Sequence, residues 1–165
     1  MRFRSFCPAD ALITIAWRYP ARYSAYNLDP QDPKILAALL RPDYNYHAIL
    51  QNDGVIGFFL LGPDARVRGG TYDDAALDIG FGLRPDLTGR GRGSAYFNAV
   101  LRYIEAQTPG RALRATVVDW NERAKRLCQR AGFRVIGQFV AQHEDKKEEY
   151  VMLLKASETR QAGGR

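Results

Sequence analysis

Three glycines at alternate positions, Gly89, Gly91 and Gly93, lie in the segment Leu83-Arg84-Pro85-Asp86-Leu87-Thr88-Gly89-Arg90-Gly91-Arg92-Gly93-Ser94. Glycine at this spacing lets the main chain come close to a ligand and turn its amides inward. A helix starting just beyond adds its positive dipole end. The chemistry this suits is the holding of a pyrophosphate, with Arg90 and Arg92 as further positive charge. The same spacing also fits a flexible basic turn. A Walker loop would need Gly-Lys-Ser/Thr after four intervening residues, and no such lysine is present. A Rossmann loop would follow the first strand of a βαβ unit, with an acid about 20 residues on. One Arg-Gly-Arg-Gly string at a helix start is poor support for nucleic-acid binding.

A second group is aromatic: Trp17, Tyr19, Tyr23 and Tyr26, interrupted by Pro20. These rings suit either core packing or a cage for a cationic amine. Asp73, Asp74, Glu148 and Glu149 could draw in such a cation or serve only solubility. His47 on a strand and His143 in a charged loop read as paired or surface histidines rather than bases. Cys7 and Cys128 are too far apart for a CxxC motif, and no metal site is expected.

The elements that must position these groups follow from periodicity. Residues 2–6 read as a short strand, and Pro8-Ala9-Asp10 opens a helix ahead of 11–17. Asp32-Pro33 starts a short helix reaching Leu40. Strands at 44–51 and 55–61 flank Asn52-Asp53-Gly54, residue types that tolerate positive φ in a tight hairpin. The stretch 75–83 is nearly continuously apolar, as in a strand buried on both faces, and contains one acid, Asp78. Helical spacing runs over 93–107, a strand over 112–118, and a second helix over 121–131, stopped by Gly132. Strands at 133–140 and 148–154, joined by a charged loop at 142–147, close the fold, and residues after Lys155 read as a frayed tail.

Composition bounds the answer. The 165 residues make one domain's worth of chain, with 46% hydrophobic and 25% charged residues, inside the ordinary globular range. No apolar run approaches the roughly 18 residues of a membrane span, and the N-terminus lacks a signal-peptide pattern. Two cysteines are too few for a secreted disulfide framework, so a reducing, cytoplasmic location is expected. The net charge of +6 points to an anionic partner. Arg84, Arg90 and Arg92 against Asp86 leave +2 over residues 84–93; Arg123, Lys125, Arg126, Arg130 and Arg134 against Glu122 leave +4 over residues 121–134. These two windows account for the whole excess, which argues against a generally basic, nucleic-acid-coating surface.

Taken with Val117-Val118-Asp119-Trp120-Asn121-Glu122-Arg123-Ala124-Lys125-Arg126-Leu127-Cys128-Gln129-Arg130-Ala131-Gly132-Phe133, the loop resembles the two hallmark regions of the GNAT superfamily of acyl-CoA N-acyltransferases. Those regions are a strand with a Gln/Arg-x-x-Gly-x-Gly/Ala loop and helix, then a strand before an Asn-x-Arg-Ala helix that closes with Gly-Phe. The likeness in element order covers about residues 2–155, and its specific motifs occupy 76–94 and 115–133. The resemblance implies a single α/β domain over 1–155, with a mixed, mostly antiparallel central sheet flanked by helices and splitting around acetyl-CoA, and a flexible tail at 156–165.

The resemblance also implies residue roles. Gly89, Arg90, Gly91, Arg92, Gly93 and Ser94 would hold the pyrophosphate, with Thr88 standing where the family usually has Gln or Arg. The main chain at Leu83 and Arg84 would pair with the pantetheine arm like an added strand. Asn121 would contact the cofactor, or cap its helix, or do both. Asp78 falls where many relatives carry a Glu; it would act as the base for the amine, or pair with a core Arg or cap a bulge. Cys128 takes the position of a Tyr that protonates the leaving thiolate, or is a small buried packing residue. Trp17, Tyr19, Tyr23 and Tyr26 lie where the family builds its acceptor wall. The implied reaction is acetyl transfer to a primary amine, either a protein N-terminus, as in ribosomal-protein-alanine N-acetyltransferases, or a small amine. A non-catalytic acyl-CoA-binding module and a basic nucleic-acid binder remain as alternatives, and a homodimer is left open.

Overall fold

The computed structural model describes residues 1–143 and 146–157. In chain order the strands are β1 (Arg2–Ser5), β2 (Tyr46–Gln51), β3 (Gly54–Leu61), β4 (Ala76–Leu83), β5 (Ala112–Val118), β6 (Arg134–His143) and β7 (Lys146–Lys155). The helices are α1 (Pro8–Ile15), α2 (Pro33–Leu39), α3 (Gly93–Gln107) and α4 (Glu122–Arg130). The strands form one mixed, mostly antiparallel sheet in the order β1-β2-β3-β4-β5-β7-β6, flanked by helices. Two compact units divide the chain: Met1–Ala65 with Ile79–Gly93, and Arg66–Asp78 with Ser94–Arg165.

In the first unit β1, β2, β3 and the later part of β4 pair antiparallel in sequence. Asn52 and Asp53 both take left-handed backbone, φ 49° and 61°, the geometry of a two-residue hairpin matched to the strand twist. α1 starts where Cys7 N–H donates to the Asp10 carboxylate at 2.9 Å, and Arg4 pairs with the same carboxylate. Asp32 caps α2 by accepting from Lys34 N–H at 2.9 Å. One core cluster joins Ala11, Ile15 and Leu39; another joins Trp17, Leu50 and Val55 with Phe58 against them. Gly80 and Gly82 in β4 lie directly beneath Leu60 and Phe58; a Cβ on Gly82 would come within 2.4 Å of the Phe58 ring. The absence of side chains there is what lets β3's large residues cross the strand.

In the second unit β5, β7 and β6 pair antiparallel, with Ala115 opposite Leu153 and Val135 opposite Leu153 on its other side. α3 buries Tyr96, Phe97, Val100, Leu101 and Ile104, one face at helical spacing. α4 closes at Gly132, φ +93°. β6 and β7 are longer than the apolar pattern suggested: Gln142, His143, Lys146 and Lys147, expected in a loop, continue the ladder. An exposed hairpin end needs only main-chain hydrogen bonds, so charged side chains do not stop it. Residues 144–145 of the expected loop and 158–165 of the expected tail lie outside the described residues. No helix among the described residues is long and apolar enough to cross a membrane.

Candidate functional site

The glycine loop is built by β4 running out at Leu83. Arg84 N–H donates to Ile56 O at 2.8 Å, the last bond to β3. Pro85–Leu87 then form one 3₁₀ turn, closed by Thr88, whose N–H and hydroxyl both donate to Pro85 O at 3.1 and 2.7 Å. The Arg84 guanidinium clasps Asp86 through two bonds of 2.6 and 3.0 Å, which holds the Asp86 carboxyl below its usual range. Of the loop's three arginines Arg84 is thereby occupied within the turn, whereas Arg90 and Arg92 are exposed. Gly89 and Gly91 take left-handed backbone, φ 70° and 73°, and Gly93 begins α3. A Cβ on Gly91 would meet nothing within 4 Å, so the turn stands open to an approaching ligand. Main-chain amides beside a helix start, with open space and two exposed guanidiniums, fit an anionic pyrophosphate.

The aromatic cluster separates into two pairs. Trp17 is 8% exposed and stacks on Phe58 with centroids 6.2 Å apart, and Tyr23 is also buried; both serve the core. Tyr19 and Tyr26 meet edge to face at 6.2 Å, and Tyr26 is exposed. The Tyr19 hydroxyl donates to Leu83 O at 2.8 Å, and its main-chain N–H donates to Asn27 Oδ1 at 2.7 Å. Burial, with Tyr26 beside it, pushes the Tyr19 phenol up to about 12. Sequence pattern alone did not single out the Tyr19–Leu83 contact, because nothing local links residues so far apart.

Asp78 sits at the centre of a charge cluster in the second unit. It is 2% exposed, and Arg114, 4% exposed, donates from Nε to Oδ1 at 2.6 Å and from Nη2 to Oδ2 at 2.9 Å. Arg66 Nε adds a bond to Oδ2 at 2.7 Å. Arg114 also reaches the Asp73 carboxylate at 2.9 Å and Asp73 O at 2.8 Å, while Arg66 reaches Asp74 at 3.2 Å. Both guanidiniums lie over the Tyr72 ring, 5.5 and 5.0 Å from its centroid. The Tyr72 hydroxyl accepts from Val67 N–H at 2.9 Å and bonds Thr116 Oγ1 at 3.0 Å. Hydrogen bonding holds the Arg114 guanidinium above its ordinary value and the Asp73 carboxyl below its own. Asp78 thus forms an ion pair with the core residue Arg114. Arg66, Arg114 and Tyr72 were not anticipated individually. The signal for the Arg114 pairing was a lone Asp in one apolar strand and a lone Arg in another.

The remaining site residues are also located. Cys128 is 4% exposed, the buried residue of α4, and burial pushes its thiol up to about 12. Asn121 is buried and caps α4, its Oδ1 accepting from Ala124 N–H at 3.1 Å. His47 stacks on Phe59 with centroids 4.7 Å apart and has its pKa lowered by burial. Of the acids expected to attract a cation, Asp73 and Asp74 are held by arginines, and Glu148 bonds Lys146 and Tyr150 at 2.8 and 3.2 Å. No group of three or more His, Cys, Asp or Glu among the described residues could hold a metal ion.

A search of curated proteins found no match. Solved structures do match in fold. A ribosomal-protein-alanine N-acetyltransferase from Brucella melitensis is 15% identical with a TM-score of 0.65, covering 94% of this chain and 99% of its own. A spermidine N-acetyltransferase SpeG chimera from Vibrio cholerae and hSSAT is 13% identical with a TM-score of 0.71, covering 94% of each chain. The yncA protein from Salmonella typhimurium, solved with its cofactor acetyl-CoA, is 16% identical with a TM-score of 0.60, covering 99% of this chain and 97% of its own. The family model of the acetyltransferase (GNAT) domain matches residues 1–134. With that match over most of its length, and an open glycine turn between β4 and α3, the chain belongs to the GNAT acetyltransferases, a family that uses acetyl-CoA.

Proposed function

We propose that the protein transfers an acetyl group from acetyl-CoA to a primary amine by direct attack. The observation that carries this is the main-chain cradle at Gly89 and Gly91, both left-handed and with open space at Gly91, leading into α3. Acetyl-CoA supplies the activated acetyl thioester. In this assignment the amides of Gly89 to Ser94 bind the pyrophosphate, with Arg90 and Arg92 screening its charge. Thr88 contributes by closing the turn. Leu83 offers its main chain to the pantetheine arm, whereas the Arg84 N–H is already used by β3. Asn121 holds the start of α4 in place for whatever contact it makes with the cofactor.

Asp78 is assigned to anchoring, since three guanidinium bonds and burial withhold its oxygens from an incoming amine. The acceptor then loses its proton to water, and its nitrogen attacks the thioester carbonyl. The C–S bond breaks to release the CoA thiolate, which takes its proton from water or from the attacking amine. Cys128 is assigned to packing, its thiol staying protonated. Tyr19 and Tyr26 form the acceptor wall, whereas Trp17 and Tyr23 are buried in the core. The similar folds include a ribosomal-protein-alanine N-acetyltransferase and a spermidine N-acetyltransferase chimera, so both acceptor classes belong in the test.

The pairing of Asp78 favours one second reading, an acyl-CoA-binding module without turnover. An assay of acetyl-CoA against a panel of small amines and N-terminal peptides, with free thiol as readout, separates the two. Thiol release that depends on an added amine supports transfer; CoA binding without turnover on any acceptor supports the module; the absence of CoA binding overturns both.

A further inference from the structure

Along a strand, successive residues turn their N–H and C=O groups to opposite edges. Arg84 N–H is bonded to Ile56 O, so Leu83 turns its own N–H and carbonyl to the edge of β4 opposite β3. At that edge the Leu83 carbonyl accepts from a side chain, the Tyr19 hydroxyl, at 2.8 Å. Tyr19 is held there from two directions, by the Asn27 bond to its main chain and by the Tyr26 ring against its own. If Leu83 offers its main chain to the pantetheine arm, as acetyl-CoA binding proposed above requires, an arm that adds like a strand needs this same acceptor.

We propose that Tyr19 competes with the cofactor for the Leu83 carbonyl: its hydroxyl and the amide of the pantetheine arm are alternative donors to that oxygen. Loading of acetyl-CoA then frees the phenol and shifts the Tyr19–Tyr26 pair, coupling the acceptor wall to the cofactor. This rests on the acetyl-CoA reading, and it adds a residue whose removal should improve binding rather than impair it.

The test is calorimetric titration of wild type, Tyr19→Phe and Tyr44→Phe with two ligands, CoA and ADP. ADP carries a pyrophosphate but no pantetheine arm. Tyr19→Phe keeps the ring against Tyr26 and removes only the hydroxyl. Relieving a competing neutral hydrogen bond should tighten CoA by about three- to ten-fold and leave ADP unchanged. Tyr44→Phe should change neither. Tyr19→Leu also lacks the hydroxyl, and the ratio of CoA to ADP affinity should rise in it even if the wall loosens. An unchanged or weakened CoA affinity in Tyr19→Phe, with ADP unaffected, means that the carbonyl serves both donors and overturns the proposal while leaving the acetyl-CoA reading intact. A parallel change for both ligands marks general loosening and overturns it equally. Failure of wild type to bind CoA overturns the acetyl-CoA reading, and the proposal with it.

Discussion

Replacing Asp78 by Asn removes one negative charge from beneath two guanidiniums while leaving the shape of the side chain almost unchanged. Asp78 is 2% exposed and Arg114 4%, so solvent screens their attraction little, and the variant leaves Arg114 buried with only the Asp73 carboxylate beside it. Breaking a buried pair from one side costs about 3–5 kcal/mol. For a domain of this size each kcal/mol lowers Tm by about 2–4 °C, so Asp78→Asn should melt roughly 6–20 °C below wild type. Arg114→Gln should do much the same, and the double variant should lose less than the two single losses together, because the second substitution removes a charge already stranded. The assay is thermal unfolding by circular dichroism, alongside turnover measured well below both melting points. An anchoring role leaves turnover at that temperature within a few-fold of wild type. A general base would behave oppositely: turnover falling by about 10²–10⁴-fold with Tm almost unmoved. That outcome would refute the assignment of Asp78 to anchoring.

Other expectations rest on single contacts. Burial alone would raise the Asp10 carboxyl, but the bonds from Arg4 and Cys7 hold it below its ordinary 3.8. Its folded pKa is thus depressed, so its contribution is complete above pH 3.8 and is lost as pH falls through the folded value. Asp10→Asn should therefore cost about 1 kcal/mol in urea unfolding at pH 7, a difference that disappears in acid. Cys128, buried with its thiol pushed up to about 12, should resist a thiol reagent at pH 8 in the folded protein and react only on unfolding, whereas half-exposed Cys7 reacts first. Cys128→Ser should leave turnover within about two-fold and lower stability by about 1–3 kcal/mol through a buried hydroxyl; a large loss of turnover would restore it as an acid. Gly91→Ala meets no steric neighbour but must hold φ 73°, so it should cost about 1 kcal/mol and weaken CoA measurably in titration.

Much of the fold was legible in residue order because it depends on local chemistry. Asn52-Asp53-Gly54 could only be a tight turn, since few residue types accept two consecutive positive φ values. Asn121 and Gly132 bracket a helix, and both cap it, because orphan helix amides and carbonyls need such ends. The glycine loop was equally readable: its φ values are properties of glycine itself, and its match to the GNAT pattern lies within a dozen residues. Side-chain partnerships were not. Asp78 could be seen to need an explanation in an apolar strand, yet whether it faced an amine or an arginine depended on Arg114, 36 residues away. Trp17 and Tyr19 are two residues apart and looked alike as wall residues; one stacks in the core on Phe58 and the other holds the carbonyl of Leu83, 64 residues on. Local backbone preferences act over a few residues and survive in the sequence as spacing. Pairing of charges and hydroxyls acts across contacts that only the folded chain creates.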